Sequence, residues 1–242
     1  MKKGGQVTIF IIVAVIIIGM VITFFVFKDN FNIGGASSEI APIANFVQEC
    51  MDTTLENSVY EVAKQGGYSG YSFLSRETTD SGIMYYLFDG KTSFPSKSLI
   101  EDQIGEYFER KFFLCIDDFN KFPDYEVEDG ILETSVQIDD ERIILDAKYP
   151  LTIKKGESTS RVEDFESKIP SRFGIVYNSV SDFMKQQGNN EKICLSCLEL
   201  AVKNDIYVDM ENFYDNKVVF VFRDNSSELN DKPIEWVFAN RY

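Results

Sequence analysis

The chain has 242 residues, with 24 Lys and Arg against 39 Asp and Glu, no histidine, and a formal net charge of −15. Without histidine, neither a Ser-His-Asp nor a Cys-His nucleophile can be assembled, and a His-ligated zinc site is excluded. The acidic residues are scattered, which makes a solvated acidic surface that repels phosphate backbones and argues against nucleic acid as a partner.

The first predicted element is a membrane span. No charge interrupts residues 4–27, and fifteen of the twenty residues 8–27 are Ile, Val or Phe. As a helix this stretch rises roughly 30 Å, the thickness of a bilayer's hydrocarbon core. At about −0.3 to −0.6 kcal/mol per residue, its insertion into lipid is favourable by several kcal/mol. Lys2 and Lys3 precede it, so residues 1–7 are expected in the cytoplasm and residues 28–242 outside. Secretory h-regions usually run about 7–15 residues, so this longer one reads as a retained anchor with lipid as its partner. Residues 28–38 are polar and glycine-rich, a linker.

About 200 residues remain for an outer domain, 39–242, enough for a sizeable core. Residues 39–64 read as an amphipathic helix, with Ile43, Val47, Cys50, Met51, Leu55, Val59 and Val62 at three- and four-residue spacing, Ser37 or Ser38 as cap and Gly66-Gly67 as terminator. Residues 68–74 and 83–88 read as paired strands. A second helix runs from Ser96 or Ser98 to about Phe119, with Ile100, Ile104, Phe108, Phe112 and Cys115 on its apolar face. Strands follow at 125–127, 132–138 and 142–149, the last two joined across Asp139-Asp140, and another hairpin pairs 151–154 with 160–167. A third helix covers 171–187 and a short fourth covers 195–203. The terminal strands are 206–210, 217–223 and 234–239, with a loop at 225–232 that contains the glycosylation pattern Asn225-Ser-Ser227. This order predicts an α+β fold of mainly antiparallel strands with about four helices. It also suggests two subdomains, 39–155 and 156–242.

Four cysteines carry the candidate chemistry. Cys50 and Cys115 lie on the apolar faces of the first two long helices, where a bridge forms if their Cα atoms come within about 7 Å. Cys194 and Cys197 form a Cys-x-x-Cys at the start of the fourth helix. An even cysteine count outside the cell points to structural disulfides. The alternative for the second pair is redox exchange, and a four-thiolate zinc site ranks last. The clusters Asp117-Asp118, Asp139-Asp140 and Glu163-Asp164-Phe165-Glu166 read as solvated surface, with Asp139 and Asp140 near Glu141 a weak Ca²⁺ candidate lacking EF-hand spacing. No catalytic residue, metal ligand or cofactor is assigned.

Two resemblances add to these readings. Lys2-Lys3-Gly4-Gly5-Gln6 directly before the apolar helix resembles the class III signal of archaeal type IV pilins and related surface proteins, which implies a membrane peptidase cut between Gly5 and Gln6. Phe10 stands at the fifth mature position, where pilins usually carry glutamate. In the body, the segments Phe46-Val-Gln-Glu-Cys50, Gln65-Gly-Gly-Tyr68, Tyr149-Pro-Leu-Thr-Ile153, Ile193-Cys-Leu-Ser-Cys197 and Phe238-Ala-Asn-Arg-Tyr242 resemble a group of uncharacterised archaeal membrane-anchored envelope proteins. Together these imply a structural or interaction protein of the archaeal envelope, in its more specific form a pilin-like surface subunit that meets other envelope or pilus subunits. The alternatives are a membrane-tethered ligand-binding module, motivated by the many Phe and Tyr, and a Cys194/Cys197 thiol oxidoreductase.

Overall fold

A computed structural model describes residues 40–69, 77–188, 190, 192–213 and 216–242. The expected span 8–27, the topology residues Lys2 and Lys3, the cleavage pair Gly5 and Gln6, the linker and the capping serines Ser37 and Ser38 all lie outside the described residues. Among the described residues, no helix is long and apolar enough to cross a membrane.

The fold is α+β with mainly antiparallel sheets. Helix α1, Ala41–Lys64, buries Ile43, Val47, Cys50, Met51, Leu55, Val59 and Val62 along one stripe. Pro42 occupies its first turn, where an N–H has no intrahelical acceptor. Ile40 stands at the cap position without a side-chain hydrogen bond. The helix ends where Gly66 and Gly67 take φ of +64° and +75°, and the Gly67 N–H reaches back to the Val62 carbonyl at 2.8 Å. This closure needs a left-handed residue at Gly66, and a Cβ there would sit 2.9 Å from the Val237 carbonyl oxygen.

Helix α2, Lys97–Ile116, is capped by Ser96, whose Oγ accepts from the Leu99 N–H at 3.2 Å. It stops three residues short of the predicted end, because Asp117, Asp118 and Phe119 all have positive φ and turn the chain through a 3₁₀ segment. α1 and α2 pack antiparallel, with Cys50 beside Cys115 at one end and Gly67 beside Ile100 at the other.

The first sheet contains β1 (Tyr85–Phe88), β2 (Lys91–Thr92), β7 (Tyr207–Phe213), β8 (Lys217–Leu229) and β9 (Lys232–Arg241), in the order β2-β1-β9-β8-β7. Only the β1–β9 pairing is parallel among the described ladders. β1 thus takes β2 and β9 as neighbours. Tyr68 and Ser69 of the expected strand 68–74 are not in a strand, and the rest of that segment lies outside the described residues. The predicted loop 225–232 is corrected as well. β8 continues to Leu229 through a bulge between Asp224 and Glu228, and the turn shrinks to Asn230 and Asp231, both with positive φ. Asn and Asp tolerate that conformation because their short side chains bond locally. Asn225 therefore sits exposed on a bulged strand instead of in a loop.

The second sheet contains β3 (Glu126–Asp129), β4 (Glu133–Ile138), β5 (Arg142–Lys155) and β6 (Ser158–Pro170). β5 is its centre, with β6 on one edge and β3 and β4 end to end along the other. β5 was expected as two strands broken at Pro150 but is continuous. The Pro150 carbonyl accepts from the Gly130 N–H at 2.8 Å, in the gap between β3 and β4, so the missing proline N–H faces no ladder partner. The β5–β6 register shifts at the same place.

Helix α3, Phe173–Gln187, packs on β8 and β5, and a short 3₁₀ turn, Leu195–Leu198, leads into α4, Glu199–Lys203. α1 also touches both β6 and β9, so a single hydrophobic cluster runs through both sheets. The 155/156 boundary suggested for two subdomains falls in the Gly156 turn of the β5–β6 hairpin, the longest ladder described.

Candidate functional site

Helical periodicity brings Cys50 and Cys115 together. Each lies on the stripe its helix turns toward the other, and the structure joins them with Cα atoms 5.7 Å apart, closing 65 residues of sequence. The bridge lies against the core, with Cys50 buried and Cys115 half-buried. Nearby, the Gln48 amide donates to Asp52 and to the Glu166 carbonyl, and the Ser167 hydroxyl donates to Asp52 at 2.6 Å, tying α1 to β6.

The second bridge, Cys194–Cys197, spans three positions with Cα atoms 5.3 Å apart. All four sulfurs are thus paired in two disulfides. Among the described residues, no group of three or more His, Cys, Asp or Glu side chains is placed to hold a metal ion. The loop before this bridge is pinned by Gln187, a fully buried side chain at the end of α3. Its amide donates to the Asn190 and Lys192 carbonyls, and its oxygen accepts from the Cys194 N–H at 2.8 Å. Cys194 is half-buried, Cys197 is 4% exposed, and Leu195 between them is 64% exposed.

The carboxylate clusters stay apart from one another. Asp117 and Asp118 sit exposed in the positive-φ turn after α2. Asp139 accepts from the Arg142 Nε at 2.9 Å and from Gln137, and those hydrogen bonds hold its carboxyl below the usual aspartate range. Asp140 accepts from Asn178 at 3.1 Å. With Glu141 they line a wide, shallow groove of about 680 Å³ that also meets Lys168 and Ile175. Acids and bases alternate there in the open. Glu163, Asp164 and Glu166 alternate with buried neighbours along β6, and Glu166 pairs with Lys168.

The largest buried side chains are aromatic, while Phe113 and Tyr207 are exposed. Trp236, Tyr86, Phe220 and Phe238 are fully buried, with Tyr86 stacked on Phe238 at 4.5 Å and Phe238 on Phe220 at 5.2 Å. The Trp236 indole N–H donates to the Tyr86 hydroxyl at 2.8 Å, which donates to the Gly66 carbonyl at 2.6 Å. Burial raises the Tyr86 phenol well above its ordinary range. Tyr149 behaves alike: burial raises its phenol first, and its hydrogen bond to Asp129 at 2.7 Å raises it further.

One polar constellation had no sequence signal. Asp224, with a fully buried side chain, accepts from Arg172 Nη1 at 3.0 Å and from the Ser226 N–H at 2.9 Å. Arg172 also donates to the Asn204 carbonyl, and its own N–H donates to the Ser227 hydroxyl. The pair clamps the start of α3 to the β8 bulge and to the turn after α4. Comparison with known protein families, curated proteins and solved structures finds no match.

Proposed function

We propose that this chain is a single-pass, membrane-anchored structural or interaction protein of the archaeal envelope, in its more specific form a pilin-like surface subunit, with residues 28–242 on the outer side. The observation that carries the proposal is the Cys50–Cys115 bridge that joins the two long helices of the core. Such bridges persist in oxidising compartments and are rare where thiol reductants circulate. The uncharged stretch 4–27 behind Lys2 and Lys3 supplies the anchor and its direction. A core without a catalytic constellation among the described residues suits a protein that works by its surface. The ligand-binding alternative loses its motive, because the largest aromatic side chains are spent on the core.

N-terminal sequencing and detergent extraction of the native protein test this reading. A chain that begins at Gln6, needs detergent for release and sediments with filaments supports the pilin-like form. A chain that begins at Met1 and is released by detergent as monomers removes the pilin-like form and keeps the anchor. Recovery of the full-length chain from cytosol without detergent, with four free thiols, overturns the whole proposal.

A further inference from the structure

The two disulfides differ in what they do for the fold. The Cys50–Cys115 bridge closes 65 residues and joins the two long helices, with Cys50 buried and Cys115 half-buried. The Cys194–Cys197 bridge closes a ring three positions long, which removes far less freedom from the unfolded chain. Its loop is already held without it, because the buried Gln187 amide fixes the carbonyls at 190 and 192 and the Cys194 N–H. The two sulfurs are also unequal. Cys197 is packed at 4% exposure while Cys194 is half-buried, and the Ser196 hydroxyl lies 3.5 Å from the Cys194 sulfur. Leu195, 64% exposed, stands beside the accessible sulfur, and Val202, 72% exposed, follows on α4. Exposed apolar side chains beside a reachable disulfide favour an extended polypeptide over a small polar thiol.

We propose that Cys194–Cys197 is a thiol–disulfide exchange site that takes electrons from dithiols of unfolded or partly folded polypeptides, with Cys194 as the attacked sulfur. A substrate thiolate attacks Cys194 Sγ. The Cys194–Cys197 bond breaks, and Cys197 Sγ leaves with the electron pair and takes a proton from water. The second substrate thiolate then attacks the substrate sulfur of the mixed disulfide, and Cys194 Sγ leaves and is protonated. One substrate disulfide and two protein thiols result, a transfer of two electrons and two protons. A small disulfide of the glutathione class reverses the change at the protein and restores the bridge. This rests on the exposure and pinning of the loop and is independent of the membrane reading.

The test uses the full-length chain in detergent, equilibrated in glutathione buffers, quenched with acid, alkylated and digested with trypsin. The peptide 193–203 reports this pair, and 112–121 reports Cys115. The pair is expected to open in the native protein at about tenfold less reductant than Cys50–Cys115. Opening of both bridges together, or opening of 194–197 only in denaturant, overturns the proposal. With a reduced two-cysteine apolar peptide, one peptide is expected to be oxidised per chain; in Cys197→Ser whose Cys194 has first been converted to its mixed disulfide with glutathione, a reduced single-cysteine form of the peptide is expected to displace glutathione thiol and remain disulfide-linked to Cys194. Leu195→Glu, on an exposed side chain that the fold does not need, is expected to slow the peptide reaction about fivefold while leaving the glutathione reaction within about twofold. Equal effects on both reactions refute the polypeptide preference, and displacement of glutathione from Cys197 in a glutathione-loaded Cys194→Ser as fast as from Cys194 in the loaded Cys197→Ser refutes the assignment of the attacked sulfur.

Discussion

Replacing Arg172 with Met removes the cation from a carboxylate that has no route to water. Asp224 has a fully buried side chain and Arg172 is 24% exposed, with 3.0 Å between Nη1 and Oδ1. At an effective dielectric constant of about 20, that separation corresponds to a gross attraction of about 5.5 kcal/mol. Most of it offsets the cost of taking both charges out of water. Breaking such a pair from one side costs about 3–5 kcal/mol, and the partial exposure of Arg172 sets the expectation near 3. The Asn204 carbonyl loses its donor in the same substitution. For a domain of this size, about 3 kcal/mol corresponds to a fall in Tm of roughly 6–12 °C. Urea denaturation with the disulfides intact measures the change as a lower midpoint at constant slope. The double variant Arg172→Met/Asp224→Asn removes the stranded charge, so it is expected to recover about 2 kcal/mol relative to Arg172→Met alone. A loss below about 1 kcal/mol for Arg172→Met, or a double variant no better than the single, refutes the reasoning.

Three further outcomes follow from other parts of the fold. Removing the long bridge with Cys50→Ala/Cys115→Ala is expected to cost about 4 kcal/mol in the chain-entropy account, read from the same urea titration. The Tyr149 and Tyr86 phenols have raised pKa values in the fold, so their contribution is complete below the unfolded value of about 10 and is lost as pH rises above it. Tyr149→Phe is therefore expected to cost about 1–2 kcal/mol at pH 7 and to flatten the alkaline fall by up to about 1.4 kcal/mol per pH unit; superimposable slopes count against it. Gly174→Ala drives a Cβ into the Asp139 carbonyl, where only backbone stands, so α3 must shift from the β4–β5 turn. The expected loss is about 1–3 kcal/mol in thermal melts, and an unchanged Tm refutes the contact.

The helices were legible because their apolar residues recur at the helical period. Cys50 and Cys115 belong to those stripes, so their meeting needed only that the two helices face each other. Pro150 and Asn225 misled for a shared reason. Both are residues that ordinarily end strands, and both sit at bulges where the ladder is already interrupted, so the strands continue past them. Arg172 and Asp224 are 52 positions apart and meet through the path of the chain around α3 and β8, which no local pattern encodes. Gln187 read as an ordinary polar residue at a helix end. Its three backbone partners exist only because Asn190, Lys192 and Cys194 come back to the end of α3.

The position of the Cys50–Cys115 bridge also governs how the molecule answers a mechanical pull. Tension arriving along the chain ahead of Ile40 peels fewer than ten residues of α1 before it reaches Cys50. There a covalent link passes it sideways into α2, which is packed against β4 and the rest of the core. Unravelling from that end is therefore arrested within the first turns, and a stronger tug displaces the folded body as a whole.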